Sequence, residues 1–527
     1  MNSNKIKLTR IRYLDGIQLK NAIIEASKVL ENMKEKVNKI NVFPIQDKDT
    51  GTNMSHTMNP SSLTNSISNN NSVGVVGFEL SEAALMGAQG YSGIILAQFF
   101  SGFAESIKDK LRLSTTTFAE AVQKAKEKAY LALSNPTEGT ILTVISDWAN
   151  CIESAAKKTD DFAEILKAAL QKAKISLAET PKKLDVLKKA GVVDAGAQGF
   201  IHILEGIENF INKGKIVRHK SIATIKEDKS DTVQEQAASK VTIKKVGIVT
   251  DSSCDLPEQF IKENSIHYIP LKLIFGEKIY LDKVDITPGE FYEKLVSSPV
   301  HPKTSQPAVA DIKNVFEKIL PLYEKIISIH VSGALSGTLQ SVEMTAKMFA
   351  KDKIICIDGK NISGALGLIV NEAVELINAN TSFDEIVDKI KKIVDDTHIV
   401  FSLPSLKYLV KGGRVSKQKG LIGKILRLNP ILSINEEGKL YPAAKAFGNK
   451  AAMNKAFQLV IEKAQNYKRH KFGVAHANAP SKAEWYANRL KETFDITEEI
   501  PILDAAPVLG VHAGPGTAGI AFIGFDD

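Results

Sequence analysis

Cysteine is scarce in this 527-residue chain: Cys151, Cys254 and Cys356 are odd in number, widely separated, and flanked by no second cysteine or histidine at metal-ligand spacing. That argues against a disulfide framework or a zinc ribbon and fits a reducing compartment. Long blocks of one charge are missing too. The 68 basic residues exceed the 60 acidic ones by 8, a small excess spread along the chain, so nucleic acid has no special claim as a partner. The first residues, MNSNKIKLTRIRYLDG, carry charge without an apolar stretch of signal-peptide length, and a cytoplasmic location is expected. Ala83 to Ala104 is uncharged over a spanning length, but Gln89, Ser92, Gln98, Ser101 and several glycines interrupt it. A helix buried in a bundle is favoured over a transmembrane segment. Neither a Walker A sequence nor a G-x-S-x-G nucleophile elbow is present. GPGTAG at 514–519 matches G-x-G-x-x-G, but residue 527 comes too soon for a crossover helix and a ribose-binding acid to follow, so no Rossmann unit is expected.

What is there, 44% hydrophobic and 24% charged residues, is the composition of globular domains. Leu14, Ile17, Ala22, Ala26, Leu30, Met33 and Val37 recur at helical spacing and predict a helix leading into a motif loop. SSLTNSISNNNS at 61–72 lacks periodicity and reads as a mobile surface loop. From Glu82 to Lys213 the pattern stays helical, so residues 1–213 are expected to form an all-α domain. Residues 214–241 are polar and charged without an apolar stripe, the pattern of a flexible linker. From 242 to 527 the grammar changes: VGIVTD at 246–251, KIISIHVS at 325–332, KIICID at 353–358 and HIVFSL at 398–403 are short apolar strands between helical segments. That alternation predicts an α/β domain whose ligand sits at the carboxyl ends of its strands.

In the first half, NVFPIQDKDTGTNM at 41–54 places Asp47 and Asp49 one residue apart after a helix. Two such hard oxygens can meet a magnesium ion whose remaining ligands are phosphates; the same letters are also ordinary turn chemistry. GAQGYSGIILAQ at 87–98 opens an apolar helix with glycines and Ser92, where free backbone N–H groups favour phosphate, although glycine equally permits close helix packing. NPTEGTILTV at 135–144 and AGVVDAGAQGF at 190–200 repeat the pattern.

In this order, over roughly residues 8 to 213, these segments resemble the nucleotide-binding L-subunit (DhaL) domain of dihydroxyacetone kinases, and more closely the start of the fatty acid kinase catalytic subunit. The resemblance implies an eight-helix barrel that binds ATP through Mg²⁺ held by Asp47 and Asp49. It places Asn41, Thr50, Thr52 and Asn53 on the same loop, and Ser92, Gly93, Thr140 and Asp194 at the nucleotide. The chain departs from that pattern at Gln46 for a proline, Lys48 for a glycine, and Gln89 and Tyr91 for Arg and Asn. Lys48 then either competes with the metal or binds phosphate itself. The fatty acid kinase subunit also continues into domains that have no counterpart in these 527 residues.

The second half supplies TDSSCDLP at 250–257, KTSQP at 303–307, SGALSGT at 332–338, KGGRVS at 411–416 and HAGPG at 512–516. Hydroxyls, an arginine and a histidine from strand ends suit a carboxylate or acyl phosphate. From about 244 to 526 these segments look like the DegV family, whose members bind a fatty acid between two α/β subdomains and present it to a kinase. By that resemblance Thr304 and Ser336 hold the carboxylate, Ser305 assists, and Arg414 and His512 lie at the head group. For Arg414 the alternative is a surface or inter-subdomain salt bridge, and for His512 a capped turn histidine.

The two resemblances together imply a multidomain kinase in which an all-α helical barrel binds Mg-ATP and phosphorylates a fatty acid held by a DegV-like α/β domain of two subdomains. In that mechanism Asp47, Asp49, Arg414 and His512 carry the transfer. The alternatives are a fatty-acid carrier or sensor with a non-catalytic helical half, and a kinase acting on dihydroxyacetone (glycerone). The expected partners are the fatty acid, a separate kinase or acyltransferase, and transient contact with a membrane surface.

Overall fold

The computed structural model describes residues 10–44, 47–133, 136–212, 244–349, 352–413 and 428–526. The expected linker at 214–241, Gln46 and Arg414 lie outside the described residues.

The first half folds into helices whose starts are written in the sequence. Asp15 and Gln18 form a reciprocal capping box for Gly16–Lys39, and Lys36 and Lys39 complement the dipole in its last turn. Ser72 caps Val73–Gly87, Ser114 with Thr117 caps Thr115–Leu131, and Asp161 caps Phe162–Lys183. Gly90–Ile107, Ile141–Ala156 and Ala195–Asn212 turn their apolar faces onto the same core, where Trp148 and Phe200 meet edge to face at 5.7 Å. The first helix packs along the last, which closes the ring: Gly206 lies so near the Ala26 backbone that a methyl group would collide with it.

Three details differ from the sequence reading. Residues 60–66 are helical, because Asn59 caps and Pro60 starts the helix Pro60–Ser66 and Leu63 anchors it in the core. A small antiparallel ladder, Leu14–Asp15 with Arg112–Leu113, interrupts the all-helical pattern. The uncharged stretch 83–104 is two helices, broken at Ala88 and Gln89 with Gly90 at φ 63°. Among the described residues no helix is long and apolar enough to cross a membrane.

The second half has two main sheets. In the first, the order is His267–Ile269, Lys244–Asp251, Tyr323–His330, Ile354–Asp358, all parallel. The second runs Leu440–Ala446, Asn429–Ile434, Thr397–Ser402, Ala518–Phe525, Arg469–His476, Ile502–Asp504 and is mostly antiparallel. The strand expected at 398–403 therefore belongs to a different sheet from the other three. Helix Ser363–Asn378 joins the two subdomains, giving Leu366 and Ile369 to one core and Ala365 and Leu368 to the other. GPGTAG follows a helix (Pro507–Ala513) and enters a strand, the reverse of a Rossmann turn.

The two halves are packed together. Helix Val309–Ile319 lies on Val73–Gly87 and Thr338–Phe349 on Gly90–Ile107. Val309 and Met344 are buried within the helical core, and the Val309 N–H donates to the Ala88 carbonyl at 3.0 Å.

Candidate functional site

The aspartate loop lies where helix starts converge. Asp49 takes the N-cap position of Thr50–Thr57 but makes no side-chain cap bond, so its carboxylate is not spent on its own helix; its N–H is held by Asn41 Oδ1 at 3.1 Å. Lys48 sits at φ 58°, a left-handed conformation that suits glycine, and its side chain is exposed and off the cavity wall. Asn41, Asp47, Asp49, Thr50, Asn53 and Ser92 line one polar cavity of about 300 Å³ including its open mouth, with Tyr91 and Gln306. Asn53 Oδ1 is buried there with no hydrogen-bond partner among the described residues, an acceptor that costs stability unless something binds it. Carboxylates and an orphaned amide oxygen form an all-oxygen donor set, as magnesium prefers.

The other residues expected at the nucleotide are engaged elsewhere. Thr52 pairs with Asn38 through both its N–H, at 3.1 Å, and its Oγ1, at 3.0 Å. Gly93 packs against Thr57. Thr140 caps Ile141–Ala156. Asp194 accepts from the Ala197 N–H at 2.8 Å and also faces the N–H groups of Ile141 and Gly196, tying two helix starts together; burial pushes its carboxyl up to about 6 despite these donors. These starts adjoin the cavity, since a methyl on Gly196 would stand 2.8 Å from Ser92 Oγ.

Across the junction, strand Lys303–Ser305 is the edge of a small three-stranded sheet, and it brings Thr304 and Ser305 to a second cavity of about 810 Å³ including its mouth. His512, in the last turn of Pro507–Ala513, hydrogen-bonds Thr304 Oγ1 through Nε2 at 2.9 Å. Ser336 lies on the wall with its Oγ 2.8 Å from Thr338 Oγ1. The rest of the wall is largely apolar: Leu271, Val331, Leu335, Ile362, Phe401 and Val508. Asp47 and Asp49 line this cavity too, so the expected metal-binding pair and the expected carboxylate-binding hydroxyls share one space.

The sequence reading gave no site role to Ser253, Gln89 or Gln306. Ser253 lines the apolar cavity and is fixed by its N–H to Asp251 at 3.0 Å. Asp251 also holds His330 at 3.1 Å, and His330 holds Ser328 at 2.7 Å, a Ser-His-Asp chain that is fully buried and therefore braces two strand ends instead of meeting substrate. Burial alone would raise the Asp251 carboxyl, but these partners keep it below its ordinary value. Gln89 spans the two halves: Oε1 pairs with His56 Nδ1 at 3.0 Å, and Nε2 donates to the Gln306 carbonyl at 3.0 Å and to Ser305 Oγ. Tyr91 is pressed against the same interface, and burial with the charge of Glu343 raises its hydroxyl. Gln306 lines both cavities; its position in KTSQP beside Thr304 and Ser305 was the available signal.

Comparison with known proteins agrees with this division. The DegV family model matches residues 245–524 and a DAK2 domain model matches 44–209. A DegV domain-containing protein of Clostridium acetobutylicum is 35% identical over 282 residues, 53% of this chain and 99% of that protein. One from Staphylococcus aureus is 33% identical over 279 residues, 52% of this chain and 98% of that protein. Among solved structures, a DegV family protein from Thermus thermophilus described by its fatty acid binding is 28% identical, covering 53% of this chain and 100% of its own at TM-score 0.51. A fatty acid binding DegV family protein from Streptococcus agalactiae is 26% identical, covering 53% and 99% at TM-score 0.50.

Proposed function

Because the chain belongs to the DegV family through residues 245–524 and carries a DAK2 domain at 44–209, we propose that it phosphorylates a fatty acid with Mg-ATP, the acceptor being held by its own DegV half. The observation that carries this reading is the shared cavity: Asp47 and Asp49 from the helical half lie on the same wall as Thr304, Ser305, Ser336 and His512. The solved DegV neighbours are described as fatty acid binding proteins, and the apolar wall beyond the hydroxyls suits an acyl chain.

In this reading a carboxylate oxygen attacks the γ-phosphorus of ATP, the bond from that phosphorus to the β–γ bridging oxygen breaks, and acyl phosphate and ADP result. The acceptor is already ionised, so no proton has to move, and positioning dominates. Magnesium, when bound, neutralises phosphate charge. Asp47 and Asp49 hold it, with Asn53 Oδ1 as a further oxygen. Backbone N–H groups at the uncapped start of Gly90–Ile107 receive phosphate oxygens. Thr304 and Ser336 fix the carboxylate, and His512 orients the Thr304 hydroxyl. The test is magnesium-dependent ADP release on addition of fatty acid. Asp49→Ala is expected to abolish both release and nucleotide binding while leaving co-purified lipid in place. Unchanged ATP affinity in that variant would remove the metal assignment, and lipid retention without ADP release in the wild type would leave a carrier.

A further inference from the structure

Among the described residues, three side chains line both cavities: Asp47, Asp49 and Gln306. A phosphoryl group crossing from the polar cavity to the hydroxyls of the apolar one passes between them. Two of the three are acids, which serve a cation. The group in transit is itself anionic, and its oxygens call for a donor. Gln306 meets that need, and both halves of the protein hold it. Its backbone carbonyl accepts from Gln89 Nε2 of the helical half at 3.0 Å. Its side-chain Oε1 accepts from Ser341 Oγ of the DegV half at 3.0 Å. The amide lies flat against Gly337, where any β-carbon would collide with it, directly after the hydroxyl of Ser336. Gln306 is 7% exposed, and with Oε1 committed to Ser341, Nε2 has no protein partner among the described residues. A donor held in one orientation on the wall shared by both cavities, with no protein acceptor among the described residues, is placed for a ligand oxygen.

We propose that Gln306 Nε2 donates a hydrogen bond to the phosphoryl group as it passes from ATP to the carboxylate, which makes Gln306 a catalytic residue of the transfer; this rests on the kinase reading above. The bond forms as charge spreads over the phosphoryl oxygens and no proton is transferred. Ser341 and Gln89 are positioning residues that act through Gln306.

The experiment uses the full chain with its bound fatty acid. Gln306→Met keeps length and removes the donor. It is expected to lower kcat by about 10²–10³-fold with Mg-ATP affinity and lipid content unchanged, the loss expected when one preorganised donor is removed. Ser341→Ala leaves Gln306 in place and frees Oε1, so kcat should fall by about tenfold with no change in KM for ATP; this variant decides the matter if Gln306→Met does not fold. Mg-ADP-aluminium fluoride, bound to lipid-loaded protein and followed by calorimetry, reads the same donor without turnover and should bind Gln306→Met at least about tenfold more weakly than wild type. If wild type transfers phosphate and both variants keep its kcat, the proposal is overturned and the kinase reading stands. If wild type makes no acyl phosphate, the kinase reading falls and the analogue decides: equal affinity in wild type and Gln306→Met overturns the role of Gln306.

Discussion

Lys48 illustrates what a single residue reveals only in its backbone. Between the two aspartates the loop takes a left-handed turn at φ 58°, which costs a lysine about 1 kcal/mol relative to glycine. Its side chain is exposed and off the cavity wall, so it neither competes with a metal nor serves phosphate in this arrangement. Lys48→Gly is therefore expected to stabilise the helical half by about 1 kcal/mol in denaturant unfolding while changing phosphoryl transfer less than about twofold. Asp282 offers a residue-scale test by pH. It is fully buried, and burial, helped by the charge of Asp255, pushes its carboxyl up to about 7. The folded protein then holds a proton that the unfolded chain releases near pH 4. Stability consequently falls as pH rises from about 4 to about 7 and levels off above, by an amount of order 4 kcal/mol. Asp282→Asn should flatten that fall in urea titrations at a series of pH values; an unchanged slope would assign the pH dependence to other groups. At this scale the sequence was informative where chemistry is carried by charge or hydroxyl. Asp47 and Asp49 stand out by type and spacing, Thr304, Ser336 and His512 through the family resemblance of their segments, and all five line one cavity. Gln89 and Gln306 were illegible because an uncharged amide declares its role only through the partners that folding brings to it.

Among the elements, helix starts were the most legible feature. Asp15 with Gln18, Ser114 with Thr117, and Asp161 are caps that can be read directly from sequence. The helix at 60–66 was hidden because a Ser/Asn-rich composition outweighed its one informative pair, the cap Asn59 and the first-turn Pro60. Sheet membership of 398–403 was hidden for a different reason: strand pairing is decided by residues more than a hundred positions away, here Ala518–Phe525. Two element contacts make sharp tests. The first and last helices of the bundle touch at Gly206 and Ala26, where a new methyl meets backbone. Gly206→Ala should cost about 1–3 kcal/mol, seen as a lowered Tm. The start of Gly90–Ile107 is pinned to the DegV half by Gln89, whose amide is buried. Gln89→Ala leaves the Gln306 carbonyl unsatisfied and should weaken the contact between halves by about 1–3 kcal/mol. In calorimetry a single unfolding transition is then expected to separate into two; a single transition at the wild-type temperature would show that Gln89 carries little of the docking.

For the whole molecule, the departures at Gln89 and Tyr91 acquire a common explanation. Where the kinase-like pattern has Arg and Asn, this chain has two residues that face the DegV half, so they are fitted to a partner that is part of the same polypeptide. Domain composition was legible in the sequence through motifs that keep their order and spacing; the docked arrangement was not, because it rests on residues such as Val309 and Met344, which are buried at the junction but look like ordinary helix positions in the sequence. In the proposed reading, acceptor and nucleotide sites belong to one chain and their encounter is intramolecular, with an effective concentration on the order of millimolar for tethered modules. The measurement that tests this most directly is acyl phosphate formation from ATP, magnesium and fatty acid, trapped with hydroxylamine, at protein concentrations from nanomolar to micromolar. The account predicts acyl hydroxamate at every concentration, at a rate per molecule that does not depend on protein concentration. No hydroxamate, or a rate per molecule rising in proportion to concentration, would contradict it.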